Sequence, residues 1–381
     1  MSSKDFLLIL MPWTPDPAWV ASLGMPVESR KIGMYQTELP SDISPETWAK
    51  VTILFTWKSF PTKEMVPNLK YCQLLSAGCN QILGLPLFEE TTIDFCTSNG
   101  THPPQIAEWV FSTFLAFQHH SRPTKKLFMP TAVNLFQVPE YLDNQRESKW
   151  IDPPSDEDTE DSVGLRVYAK PRYHHPEFQL TGPRGILGYG CVGRQVAHVA
   201  KAFGMSVHAY TLHPRLTPES RKDDSFTEPG LGDPNGEYPS KWFYGKDQLD
   251  DFLASDLDLL VITLPLTDQT KGMISREQFQ LLSKKKTYVS NAGRGAVINT
   301  DDLVDALEGG LIRGAALDVT DPEPLPAEHK LWTYKNVVIT PHCAGNSNHY
   351  YERVRKILVY NLERRARGQK LVNIVSRSER Y

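Results

Sequence analysis

A glycine-spaced turn, G-Y-G-C-V-G at residues 188–193, restricts this chain more than any other feature of its sequence. It follows the apolar run GIL at 185–187. After it, Val196, Val199, Ala200 and Phe203 recur at i, i+3, i+4 and i+7, and Gly204 ends the run. That is a strand, a tight turn and a helix. In such a unit Gly188 permits the turn, Gly190 lets backbone approach a pyrophosphate, and Gly193 lets helix pack on strand. The helix amides and its partial positive charge suit phosphate oxygens. A glycine turn serving packing alone would share the spacing, so the flanking strand and helix carry the dinucleotide reading.

The strand after the helix, SVHAY at 206–210, does not end on the acid that NAD sites usually place about 20 residues beyond the turn. It ends on Tyr210 and Thr211, followed by Leu212, His213, Pro214 and Arg215. A carboxylate would repel a 2′-phosphate. Thr211 would not, Arg215 can pair with it through two parallel N–H groups, and His213 can add a donor. The expected cofactor is therefore NADPH, with NADH as the alternative if Arg215 only solvates the segment that begins beside it.

Around this unit, apolar runs alternate with helical patterns. Residues 5–10, 51–57, 71–76 and 92–97 read as strands of a small α/β domain. From 185 to about 341, GILGY, SVHAY, DLLVITL, TYVSN, GAALDV and NVVIT read as strands of a doubly wound parallel sheet. Thr300 is placed as the cap of a helix over 301–307, stopped by Gly309. The segment 104–120 is apolar on nearly every side, so it is expected to be buried between domains or against a second subunit. Val354, Ile357, Leu358 and Leu362 line one face of a helix near the end, expected to return to the N-terminal domain.

Two stretches interrupt the pattern. Residues 151–179 open with six acids between Asp152 and Asp161 and almost no apolar residue among them, which reads as a solvated insertion. His174 and His175 in it are adjacent and cannot point one way on a regular element, so they make no metal site. Residues 217–243 form a turn-rich second insertion. The net charge of −4 offers no field to attract nucleic acid or an anionic membrane. No apolar run spans a bilayer, and the first apolar stretch reads as a strand, not a signal peptide. The five cysteines are dispersed without C-x-x-C spacing, as free thiols in a reducing cytoplasm would be, and no metal is expected.

A dinucleotide site alone names no reaction. Three further residues follow strands, at the edge where open α/β sheets bind ligands. Arg294 offers a planar fork for a carboxylate and its neighbouring carbonyl. His342 can exchange a proton with the oxygen as hydride reaches the carbon, and Glu323 can hold its other ring nitrogen. Each alone has a bland alternative: surface arginine, turn acid, core histidine. Trp57 and Phe60, near a strand end, could shape a substrate pocket or simply fill a core.

At these residues the chain resembles the D-isomer-specific 2-hydroxyacid dehydrogenases, which include glyoxylate/hydroxypyruvate reductases. The likeness rests on G-Y-G-C-V-G, N-x-x-R-G from Asn291, D-V-x-x-x-E-P from Asp318, and T-P-H-x-x-G from Thr340. It extends to LLSAGCNQI (74–82) and NGTHPPQIAEW (99–109). The resemblance implies two Rossmann-like domains. A cofactor domain (104–346) would be inserted into a smaller flavodoxin-like substrate domain (1–103 and 347–381). It implies that Arg294 orients substrate, that Glu323 supports His342, and that the amides of Ala77 and Gly78 receive the substrate carboxylate. Cofactor contacts implied are Cys191, Val192, Ala292, Gly293 and, near the nicotinamide amide, Asp318. A homodimer is also implied. Thr211 in place of the family's common acid, and the lengths of 151–179 and 217–243, depart from the pattern.

The resulting expectation is reduction of a small 2-oxo acid, of the glyoxylate or hydroxypyruvate kind, to the D-2-hydroxy acid. The alternative is a dinucleotide-sensing corepressor on the same fold, which can retain the three residues. A methyltransferase shares glycine-rich turns but gives no reason for Arg294, Glu323 and His342 at strand ends.

Overall fold

The computed structural model describes residues 5–118, 143–151 and 182–381. Most of the acidic insertion, with His174 and His175, lies outside them. The chain divides into two units, residues 1–101 with 351–381, and residues 102–350.

The first unit is built on a five-stranded parallel sheet in the order β2-β1-β3-β4-β5. Its central strands β1 (Leu7–Met11), β3 (Ile53–Thr56) and β4 (Tyr71–Leu74) are buried at every position, as continuous apolar runs require of a sheet covered on both faces. β5 (Asp94–Cys96) closes one edge. β2 (Val27–Lys31), at the other, has the sequence VESRK and was not foreseen. An edge strand with polar side chains carries no apolar signature.

The chain's end returns to this unit, as its apolar face suggested. Val354, Ile357, Leu358 and Leu362 are buried on the helix Tyr350–Ala366. Asn361, fully buried on that helix, donates to Gln73 Oε1 on β4 at 3.3 Å and accepts from the Val372 amide at 2.8 Å. Phe60 packs onto this unit's core, in keeping with the core reading of that residue.

The second unit holds a seven-stranded parallel sheet in the order β12-β11-β10-β9-β6-β7-β8. β6 (Pro183–Leu187), β7 (Ser206–Thr211), β9 (Leu259–Ile262), β10 (Tyr288–Asn291), β11 (Gly314–Leu317) and β12 (Val337–Ile339) coincide with the six expected apolar runs. The seventh, β8 (Lys241–Tyr244), extends the sheet beyond β7 from within the segment read as an insertion.

Two local expectations change. The helix Thr300–Glu308 is capped by Asn299, whose side chain accepts from the Asp302 amide at 3.0 Å. Thr300 instead donates its hydroxyl to the Asp321 carbonyl at 2.6 Å. The apolar helix Pro103–Gln118 is largely buried by its own unit: Ala107, Val110, Phe111 and Phe114 share a core with Ile186, Val196, Ala197, Ala200 and Val207. A helix packed on the sheet and alongside the helix Cys191–Ala202 needs apolar residues on more than one side. Its composition is therefore no argument for a second subunit.

Among the described residues no helix is long and apolar enough to cross a membrane, and no three His, Cys, Asp or Glu side chains form a metal-binding group.

Candidate active site at the carboxyl edge of the seven-stranded sheet

The sheet order turns scattered motifs into a row. Reading along the carboxyl ends of β7, β6, β9, β10, β11 and β12, one meets residues 211–215, the glycine turn, Thr263–Leu264, residues 292–295, residues 318–323 and residues 340–345.

The glycine turn is shaped by what its residues lack. Gly188 has φ +104°, a region that side chains disfavour. A Cβ on Gly193 would stand 2.2 Å from the Gly188 carbonyl oxygen, so only glycine lets the helix start this close to β6. At Gly190 the space a Cβ would enter is open, and no side chain caps the helix there. The amides of Cys191, Val192 and Gly193 form its first turn. An uncapped helix N-terminus with an open cradle at its second glycine fits the pyrophosphate of a dinucleotide.

The turn is stitched to its neighbour when Thr263 donates its hydroxyl to the Gly188 carbonyl at 2.7 Å. A Cβ on Gly293 would meet the Leu264 carbonyl at 2.8 Å, which holds the 292–295 loop against the end of β9. Within that loop Asn291 bridges both directions, accepting from the Gly293 amide at 3.1 Å and donating to the Arg294 carbonyl at 3.0 Å. Arg294 Nη1 donates to the Gly293 carbonyl at 2.8 Å. Gly295 lies so close to Thr320 that a Cβ would overlap its carbonyl, which joins the arginine loop to the Glu323 loop.

His342 Nδ1 and Glu323 Oε1 are 2.7 Å apart. Because a carboxylate only accepts, Nδ1 carries the proton and Nε2 is the atom left to face a ligand. Both side chains remain accessible, at 47% and 33%, so a small molecule can reach them. The Glu323 bond raises the His342 pKa above its ordinary value, against partial burial and with help from the Asp318 charge; nearby Arg294 opposes it. Burial works to raise the Glu323 pKa, but the bond and charge of His342, with Arg294 also helping, leave it lowered. Arg294, Glu323 and His342, up to 48 residues apart in the chain, thus act on one another's charge.

Asp318 ties β11 to the loop that carries His342. Its carboxylate is buried and accepts from Thr340 Oγ1 at 2.6 Å and from the amides of Cys343 and Ala344 at 2.9 and 3.0 Å. Burial pushes its pKa up, while the charge of His342 and these donors pull against that shift. Its observed partners are the His342 loop. His342 itself has φ +52°, a conformation uncommon outside glycine that the surrounding bonds must hold. From the other side His102 Nδ1 and Gln105 Nε2 reach the Gly345 carbonyl at 2.7 and 2.8 Å. Neither was singled out from sequence; their position in the N-G-T-H-P-P-Q stretch was the available signal.

At the far end of the row, Thr211 donates to the His213 carbonyl at 2.7 Å and Arg215 Nη1 to the Ser220 carbonyl at 2.5 Å. His213 is exposed and Arg215 partly so. Ala292 is half-buried beside Gly293. Ala77 and Gly78 belong to the first unit, in the loop after β4, where Ser76 donates to the Gly78 carbonyl at 2.7 Å.

Residues 236–344 match the family model described as D-isomer specific 2-hydroxyacid dehydrogenase, NAD binding domain. The chain is 39% identical over 193 residues to a glyoxylate reductase of Aeropyrum pernix, covering 51% of each chain. It is 35% identical over 177 residues to the human glyoxylate reductase/hydroxypyruvate reductase, covering 46% of this chain and 47% of that one. The chain spans about half the length of the curated relatives it matches. In structure it resembles an NADPH-dependent glyoxylate/hydroxypyruvate reductase of Sinorhizobium meliloti solved with NADP and sulfate. The TM-score is 0.61 at 23% identity, covering 99% of this chain and 100% of that one, a likeness of fold. Over residues 236–344 the chain is thus similar to the NAD binding domain of the D-isomer specific 2-hydroxyacid dehydrogenases, and its fold is like that of a solved glyoxylate/hydroxypyruvate reductase.

Proposed function

We propose that this protein reduces a small 2-oxo acid, of the glyoxylate or hydroxypyruvate kind, to the D-2-hydroxy acid with NADPH. The observation that carries the reading is the 2.7 Å His342–Glu323 pair under the influence of Arg294, in one row with an open glycine turn. The Gly188–Gly193 turn, with the Cys191 and Val192 amides, would hold the pyrophosphate; Ala292, Gly293 and Asp318 are assigned to the nicotinamide end by resemblance. A bound nicotinamide supplies a hydride at its C4.

The chain's residues do the rest. Arg294 pairs its fork with the substrate carboxylate and polarises the adjoining carbonyl. The amides of Ala77 and Gly78 are assigned to the same carboxylate by resemblance. His342, protonated, gives its Nε2 proton to the carbonyl oxygen, and Glu323 holds the ring by Nδ1 and favours the charged form. In the reverse direction His342 takes the proton back.

Preference for NADPH rests on the absence of an acid at Thr211 and the presence of Arg215. Arg215→Ala should cut kcat/KM for NADPH by roughly tenfold or more while sparing NADH, the scale of a lost charge-assisted pair. A wild-type enzyme that favours NADH would refute the phosphate assignment. Absorbance loss of NADPH with a panel of 2-oxo acids tests the activity itself, and a flat trace with every acid would refute it.

A further inference from the structure

The segment 217–243 has no part in the chemistry above, yet it is bound tightly to the glycine turn. Tyr189, the residue between Gly188 and Gly190, is buried and donates its hydroxyl to Asp233 Oδ2 at 2.7 Å. Asp233 is itself 2% exposed, and its carboxylate also accepts from the amides of Glu237 and Tyr238 at 3.0 and 3.1 Å. The Tyr189 ring stands edge-on to Trp242 with centroids 5.0 Å apart, and the Arg194 guanidinium lies 5.1 Å from its centre.

Arg194 belongs to the first turn of the phosphate-facing helix but turns away from the cradle. Its Nη1 donates to the Asp233 carbonyl at 2.5 Å and its Nη2 to the Arg221 carbonyl at 2.7 Å. One residue on, Gln195 accepts from the Gly232 amide at 2.6 Å. The segment's start is tied in the same way: Arg221 Nε donates to the carbonyl of Arg215 at 2.9 Å. One continuous stretch therefore connects the residue proposed for the 2′-phosphate to the middle of the pyrophosphate turn.

We infer that residues 217–243 act as a buckle for the dinucleotide seat, with Asp233 as a positioning residue that acts on the cofactor through Tyr189. A glycine turn is the most pliable backbone in a protein, and the conformation that suits a pyrophosphate must be held before ligand arrives. The Tyr189–Asp233 bond and the Arg194 contacts hold it from behind, leaving the ligand side to glycines. The inference rests on the dinucleotide reading of that turn.

The test is direct binding, followed by cofactor fluorescence, with unfolding midpoints measured alongside. Tyr189→Phe should weaken NADPH and NADH alike, by about five- to tenfold, because a buried carboxylate loses one donor. Asp233→Ala should weaken both further. The double variant should fall no lower than Asp233→Ala alone, since the two residues act through one bond. KM for either cofactor should rise with kcat nearly kept. Unchanged dissociation constants in folded variants, or a loss confined to NADPH, would overturn the buckle. If Asp233→Ala does not fold, hydrogen exchange on the wild type decides. NADPH should then protect amides of 230–238 together with those of 188–194, and protection of the turn alone would overturn it. Wild-type protein that binds neither cofactor would instead sink the dinucleotide reading, and this inference with it.

Discussion

Two loops at the carboxyl edge of one sheet are held by opposite means. The 188–193 turn after β6 is fixed by missing side chains: Gly188 at positive φ, Gly193 against a carbonyl, Gly190 open. The 340–345 loop after β12 is fixed by side chains that surround it. Asp318 receives a hydroxyl and two amides on one side, and His102 and Gln105 reach Gly345 on the other. The difference suits what each loop is proposed to present. A turn that offers backbone to a ligand needs empty space in front and support from behind. A loop that aims one proton-carrying ring needs its backbone locked, even at an uncommon φ for His342.

If that division is right, removing a group from the second loop should damage chemistry, and adding one to the first should damage binding and stability. The largest effect expected is from His342→Ala. Turnover with a 2-oxo acid should fall by about 10²–10⁴-fold, with dinucleotide affinity nearly kept, because the group acts on the reacting centre. An equal loss of cofactor affinity would blur the two regions. Arg294→Ala should follow, with kcat/KM reduced by about 10²–10³-fold, and Arg294→Lys should recover little of it because a point charge lacks the planar fork. Full activity in the lysine variant would mean that charge alone suffices.

Gly193→Ala probes the other loop. Its Cβ would stand 2.2 Å from backbone oxygen, where nothing flexible can yield, so stability should drop by about 1–3 kcal/mol in denaturant titration. Dinucleotide binding should weaken with it, and an unaltered variant would show the packing argument to be wrong.

The smallest effect near neutral pH is expected for Glu323→Gln, and its signature is a shift. The proposed reduction uses protonated His342, and Glu323 holds that pKa up, so activity should be lost as pH rises through the raised value. Without the carboxylate the alkaline limb of the pH–rate profile should move to lower pH. A limb that stays in place would remove Glu323 from the proton's control.

How much of this was legible beforehand differs by kind of signal. Glycines at fixed spacing, continuous apolar runs and a 3.6-residue stripe report on the few residues around them. The turn, the six strands from β6 to β12 except β8, and the positions of Arg294, Glu323 and His342 at strand ends were accordingly readable. β2 was not, because VESRK owes its strand state to a neighbour rather than to its own pattern, and β8 was passed over because its strand-favouring KWFY follows directly on a turn-rich segment. Asn299 rather than Thr300 caps its helix because Thr300 found a carbonyl 21 residues away. The Pro103–Gln118 helix looked like an interface because a segment packed on both a sheet and a neighbouring helix reads as apolar on nearly every side.

The sequence by itself determined the kind of sheet, the place of the glycine turn and the strand-end positions of the three side chains proposed to react, since each depends on local periodicity or on a residue type that nothing else replaces. Only the tertiary structure decided that those side chains share a charge environment, that Asp318 braces the histidine's loop, and that Asp233 closes on Tyr189 across 44 residues. Contacts between residues far apart in the chain leave no periodic trace in either partner. They exist only once the strands have taken their order in the sheet.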